Sequence, residues 1–159
     1  MLDALIIAAH PDDAEIGMGG TILRMLEDDL KVGILDLTNG EPTPLGTPEI
    51  RIRETKAASE MLGVTWRNNL GLPNRKLQHD LAARAALAGI IRKTQPRWLF
   101  THYWVDAHPD HVAACELTEA ARFWSKLTKC ELPFSPHFPE RVFHFWSVHQ
   151  KTIPDPAFI

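Results

Sequence analysis

The sequence predicts an α/β fold, Rossmann-like, in which a mainly parallel sheet carries helices on both faces. Short and nearly continuous apolar runs recur along the chain, the form expected of parallel strands buried on both faces. Between them lie stretches with apolar residues at helical spacing, so strand and helix patterns alternate. Composition supports a real core: 159 residues, 45% hydrophobic and 23% charged, suit one domain that buries about two thirds of its unfolded surface.

Each element has its own signal. Residues 5–9, Leu-Ile-Ile-Ala-Ala, form the first strand and end in a Pro-Asp-Asp turn. Ile16, Ile22, Leu23 and Leu26 mark a helix that runs up to the charged Glu27, Asp28 and Asp29. Residues 31–37 read as the second strand, and the Gly and Pro content of residues 38–46 forbids regular structure there. Thr47 as N-cap, Pro48 at the first helical position and Glu49 in the first turn start a helix that reaches about Leu62 and stops at Gly63. Residues 64–70 are a third strand, Gly71 to Asn74 turn the chain, and residues 81–93 carry an Ala-rich helix ended by Pro96. Residues 98–101 are the fourth strand, residues 112–124 a helix and residues 142–146 a last strand.

Charge and cysteine content exclude several functions. The net charge is -3, and no Lys/Arg-rich run is present to neutralise a phosphate backbone. Nucleic acid is therefore not an expected partner. Cys115 and Cys130 are too few for a disulfide scaffold and lack a CxxC spacing, which fits reduced thiols in a cytoplasmic protein. The apolar N-terminal run lacks a basic flank and is too short for a signal peptide or membrane span. Eight histidines in so short a chain are the feature that composition flags.

In an open parallel sheet, ligands bind at the carboxyl ends of the strands. The polar clusters fall there. His10-Pro11-Asp12-Asp13-Ala14-Glu15 follows the first strand; His102 and then Asp106-Ala107-His108-Pro109-Asp110-His111 follow the fourth. A catalytic zinc takes three protein ligands and keeps one position open for water. His10, Asp13 and His111 supply three, leaving Asp12 as a carboxylate base for a water whose pKa the metal brings down to about 7. His108, one helical turn before His111, is placed to stabilise an oxyanion and to donate a proton to a leaving amine. Asp110 is either its orienting partner or an acceptor for the outer nitrogen of a ligand imidazole. Either cluster alone reads as a capped turn; the pair reads as a metal site.

The stretch from Ala9 to Thr21, together with His108-Pro109-Asp110-His111, resembles the zinc-dependent N-acetylglucosaminyl deacetylases, the family also called PIG-L or LmbE-like. Residues 36–41, residues 46–51 with Glu54, and residues 69–73 fit the same family in order. The resemblance implies removal of the acetyl group from an N-acetylglucosamine conjugate. It makes His10, Asp13 and His111 the ligands of Zn2+, or of another divalent metal such as Fe2+, Asp12 the general base, and His108 the oxyanion stabiliser or acid supported by Asp110. Arg51 stands where the family has a substrate-contacting arginine. The nearest branch is the bacillithiol-biosynthesis enzymes, which act on N-acetylglucosaminyl malate. That branch has Asp-Arg where this chain has Asp106-Ala107, and alanine cannot give a malate carboxylate bidentate bonds.

Further expectations follow. The partner is a small amino-sugar substrate, with homo-oligomerisation, as a hexamer, implied by the family. The whole chain, 1–159, reads as one catalytic domain lacking the family's usual C-terminal portion and stopping in an apolar, strand-like segment, residues 156–159. Two other functions fit the residues: a zinc amidase or esterase on another small substrate, and a non-catalytic metal- or sugar-binding module. Gly17, Gly19 and Gly20 lack the GxGxxG spacing of a nucleotide loop and read as close helix-on-sheet packing. Trp104 is the tryptophan placed for sugar stacking. His79, His137, His144 and His149 have no motif around them and read as structural or solvated.

Overall fold

The computed structural model describes residues 1–151 and 155; the apolar segment at residues 156–159 lies outside the described residues. The elements alternate along the chain: β1 Ala4–Ala8, α1 Asp13–Glu27, β2 Val32–Thr38, α2 Pro48–Leu62, β3 Trp66–Leu72, α3 Leu81–Thr94, β4 Trp98–His102, α4 Pro109–Ser125 and β5 Arg141–Phe145. All five strands are parallel, in the order β3-β2-β1-β4-β5. The α/β, Rossmann-like expectation holds.

The alternation of β1 divides the core between the two faces of the sheet. Leu5, Ile7 and Ala9 pack with Leu35, Leu37 and Leu99 against Leu87, Ile91, Ala114 and Leu117 of α3 and α4. Ala4, Ile6 and Ala8 pack with Ile34 and Phe100 against Ala14, Met18, Ile22 and Met25 of α1. Each fully buried Leu or Ile contributes about 1.5–3 kcal/mol, so the central strands are the most firmly held. Helix α2 buries none of its residues and packs on α1 at the periphery. No helix among the described residues is long and apolar enough to cross a membrane.

Several boundaries differ from the sequence reading, for local reasons. Helix α4 starts at Pro109 rather than residue 112, because His108 is the N-cap and its Nδ1 accepts the Asp110 N–H at 3.2 Å. Asp110 and His111 thus stand in its first turn. Helix α1 likewise starts at Asp13 rather than near Ile16. Strand β3 begins two residues later than expected: Gly63 adopts φ +79, and the Val64 N–H bonds back to the Ser59 carbonyl, so Val64 closes the helix instead of opening the strand. At the other end Gly71, φ +72, lies within β3, where the register against β2 shifts between Asp36 and Thr38. A glycine bulge, not a turn, is what that residue provides.

Among the three clustered glycines only Gly17 packs tightly. A Cβ there would stand 2.6 Å from Phe145 Cδ2 and 3.0 Å from the Trp146 carbonyl oxygen; at Gly19 and Gly20 it would meet nothing within 4 Å. Close packing therefore explains the first glycine and not the other two.

Candidate functional site

Strand order reverses between β1 and β4, which pair with each other while their onward connections lead to opposite sides of the sheet. In an open α/β sheet this switch point is where a crevice forms. The loop after β1 and the loop after β4 meet there, and the two polar clusters converge.

Asp13 is the centre of the arrangement. Its Oδ2 lies 3.1 Å from His10 Nδ1 and accepts the His10 N–H at 2.8 Å, while its Oδ1 is 3.3 Å from His111 Nε2. Ligand atoms of His10, Asp13 and His111 all lie within 4.8 Å of one another, so the three residues can hold a metal ion. Burial opposes ionisation of Asp13, but hydrogen bonding from the facing imidazoles, His10 first, holds its carboxyl well below the usual range.

The outer nitrogens of the two imidazoles are also fixed. His111 Nδ1 is 3.0 Å from Asp106 Oδ2, and His10 Nε2 is 3.2 Å from Asp110 Oδ2. A carboxylate on the far nitrogen is the usual support of a metal-binding histidine. Of the two placements open to Asp110, its side chain has the second: it faces the imidazole of His10, and only its backbone N–H meets His108. Burial lowers the pKa of His10 and of His111, yet Asp13 with Asp110, and Asp13 with Asp106, raise both above the ordinary value. His108 is shifted down, by burial and then by the neighbouring imidazoles. Its Nδ1 is an acceptor, so a proton on the neutral ring sits on Nε2.

Asp12 is the N-cap of α1 but makes no capping bond with its side chain. Its carboxylate instead pairs with Arg51, Nη1 to Oδ2 at 3.3 Å. Arg51 also reaches Glu41, Nε to Oε1 at 3.2 Å, and stands only 4.0 Å from Glu54. The arginine thus points into the site rather than forming a mere helix-surface pair. A cavity of about 230 Å³ opens here, lined by His10, Asp12, Asp13, Arg51, His108 and His111, together with Arg75, Val148 and His149.

Four further residues take part in the site without having been given a role from the sequence: His102 and Asp106 were placed in the cluster after the fourth strand, and His149 and Arg75 were not. His102, buried at the end of β4, accepts the Ala9 N–H at Nε2, 3.1 Å, stacks on His111 with ring centroids 4.0 Å apart, and lies 3.3 Å from Asp13. Burial keeps its pKa below the ordinary value against the pull of Asp13. His149, read as structural or solvated, lines the cavity instead, with its ring centroid 5.8 Å from those of His108 and His111. Asp106 joins the site through the Asp106–Gln150 antiparallel bridge and the Ser147 hydroxyl as well as His111. The fourth is Arg75, held beside Asp110 by its backbone. The signal of polar residues at a strand's carboxyl end was available for His102 and Asp106, and not for His149 or Arg75.

The remaining expectations separate. Trp104 does not line the cavity; its ring lies against Tyr103, 4.0 Å, and His144, 5.0 Å. Ala107 is exposed and also off the cavity wall. His79 pairs with Glu116 on the surface, His137 bonds the Pro96 carbonyl, and half-buried His144 faces Glu119 at 3.7 Å, as structural or solvated histidines do.

Comparison with known proteins shows which family the chain resembles. The family model for GlcNAc-PI de-N-acetylase, PIG-L, matches residues 5–122. A diacetylchitobiose deacetylase of Thermococcus kodakarensis is 32% identical over 120 residues, covering 67% of this chain and 44% of that protein. The 1D-myo-inositol 2-acetamido-2-deoxy-alpha-D-glucopyranoside deacetylase of Actinosynnema mirum is 28% identical over 182 residues, 93% of this chain and 60% of that protein. The chain thus spans about half the length of the curated relatives it matches. The conserved protein TT1542 from Thermus thermophilus superposes with a TM-score of 0.93 at 42% identity, covering 99% of this chain and 70% of that one. With most of its length matched by the family model, the chain belongs to the PIG-L, GlcNAc-PI de-N-acetylase, family.

Proposed function

We propose that the chain is the core of a metal-dependent hydrolase that removes the N-acetyl group from an N-acetylglucosamine conjugate. The observation that carries this reading is the convergence of Asp12, Asp13, His10, His108 and His111 on one cavity at the switch point, inside a family whose curated relatives are deacetylases of acetamido sugars. The metal is Zn2+ in this reading, with Fe2+ the alternative.

The donor set fits such an ion. Two imidazole nitrogens and one carboxylate converge, each imidazole is braced by a second carboxylate, and three protein ligands leave a position open. His10, Asp13 and His111 would hold the cation. When bound, a divalent metal polarises an amide carbonyl and lowers the pKa of water beside it towards about 7.

The chain's own residues supply the rest. Asp12, uncapped and open to the cavity, takes a proton from the attacking water, and Arg51 holds its carboxylate in place. His108, with Nδ1 committed to the Asp110 N–H, presents Nε2–H to the developing oxyanion, and the proton that Asp12 has taken from the water passes to the leaving amine. The small cavity admits little more than one sugar, since ordinary ligand pockets run from about 300 Å³ upward. A conjugate must therefore extend its aglycone over the rim.

The same reading takes a small amino sugar as the partner and a reducing, cytoplasmic setting. The substrate class is tested by acetate release from N-acetylglucosaminyl malate, N,N'-diacetylchitobiose, simple acetamides and acetate esters, with product mass as the check. Release confined to the sugar conjugates supports the reading; turnover of simple amides or esters alone would replace it with a general amidase or esterase. Asp12→Asn should lower turnover by about 10²–10⁴-fold with metal retained. Undiminished turnover in that variant would remove Asp12 from the base role.

A further inference from the structure

One imidazole of the cluster lies behind the cavity wall: His102 is fully buried at the end of β4 and does not line the cavity. Strand β1 pairs with β4 from Ala4 with Trp98 to Ile6 with Phe100, and further along the Ala9 N–H is taken by His102 Nε2 at 3.1 Å. A side chain thus ties the end of β1 to the end of β4. The tie sits where the loop bearing His10, Asp12 and Asp13 leaves the sheet. The His102 ring also stacks on His111, with centroids 4.0 Å apart and 19° between planes, and touches Phe145 at 4.6 Å.

The hydrogen bonding of His102 does not suit plain core filling. Because Nε2 accepts the Ala9 N–H, the proton of the neutral ring is on Nδ1, and that atom has no hydrogen-bond partner among the described residues. A buried donor left unpaired costs stability. Nε2 also lies 3.3 Å from Asp13 Oδ2, so the negative end of the imidazole dipole is turned towards a carboxylate. Two acceptors facing each other repel. A cation held by Asp13 offsets that repulsion, and the same dipole then favours the cation. His102 therefore touches two of the three residues that would hold a metal, Asp13 through Nε2 and His111 through its ring face.

We propose that His102 is a positioning residue for the metal: its Nε2 acceptor sets the end of β1, and with it Asp13, against His111, so that the protein binds a divalent cation about 10–100-fold more tightly than without that acceptor. The inference rests on the metal-dependent reading above, but its test needs no turnover. Zinc affinity is measured by chelator competition, beside thermal unfolding of the metal-free protein, for the native chain, His102→Phe and His102→Gln. Phenylalanine keeps a ring against His111 and removes the nitrogen; glutamine keeps an acceptor for the Ala9 N–H. The expected result is zinc binding about 10–100-fold weaker in His102→Phe and a smaller loss in His102→Gln, with metal-free unfolding close to native in both. Native affinity in His102→Phe would overturn the proposal, as would an equal loss in both variants. Losses of affinity and of metal-free stability that run in parallel would also overturn it, because the residue would then be structural. If His102→Phe does not fold, His102→Gln decides: zinc binding below native with native-like unfolding supports the role, and native affinity removes it. If the affinities follow the expected order but the native protein releases no acetate from N-acetylglucosamine conjugates, the deacetylase reading fails and the positioning role stands. Acetate release with affinities unmoved by either substitution gives the reverse.

Discussion

Asp106 and Asp110 show how much of the site depends on groups that do not themselves face the metal position. Each fixes the outer nitrogen of a histidine proposed to hold the metal, and support of this kind is worth about 10–100-fold in metal affinity. Asp106→Asn and Asp110→Asn should each weaken zinc binding by that factor in a chelator competition. Unchanged affinity in both would mean the imidazoles are oriented by packing alone. A second contrast lies in α1. Gly20→Ala should stabilise the protein by about 0.5–1 kcal/mol, because the position is helical and open. Gly17→Ala should destabilise it by about 1–3 kcal/mol through the clash with Phe145 and Trp146. Thermal unfolding of the pair decides; a like-signed effect would contradict the packing account. His10, Asp12, Asp13, His108, Asp110 and His111 were legible as residues because they sit in two short motifs beside strand ends. Arg75 and His149 were not, since each reaches the site by a bond to a partner more than thirty positions away.

Among the elements, helix α2 announces itself through Thr47 with Pro48 and helix α3 through its Ala-rich pattern; in the structure the Thr47 and Asp80 side chains accept the Ile50 and Ala83 N–H groups. Strand β3 was harder to delimit, because the Gly63 cap and the Gly71 bulge both mimic turn signals. This strand is tied to the sheet by charge as well. Arg67 makes two bonds to Asp36, at 2.8 and 3.0 Å, and pairs with Glu15 of α1. Burial pushes the Asp36 carboxyl up to about 6 even so. Arg67→Met would leave a buried carboxylate without its counter-ion, at a cost of about 3–5 kcal/mol in denaturant unfolding. The native state holds the Asp36 proton to higher pH than the unfolded chain does. Protonation therefore relieves the unpaired charge, and the gap between variant and native protein should narrow as pH falls from about 7 to 5. A gap that is constant or widens would show that Asp36 is not the group left exposed to the penalty.

At the scale of the whole molecule, alternating strand and helix patterns were enough to read the fold class, yet the order β3-β2-β1-β4-β5 was not readable. Nothing local in β1 or β4 says that they are neighbours. That adjacency gives His102 its place, with Ala9 and His111 as contacts, and it makes one site out of clusters about a hundred residues apart. The central claim is that this junction holds one catalytic metal through His10, Asp13 and His111. The most direct measurement strips the protein of metal, adds Zn2+ back in steps, and follows bound metal and acetate release from an N-acetylglucosamine conjugate together, in the native chain and in Asp13→Ala. The account predicts activity that is absent without metal, rises to a plateau at about one equivalent, and fails to return in Asp13→Ala because the ion is not retained. Acetate release from the metal-free protein, or full activity with metal in Asp13→Ala, would contradict it.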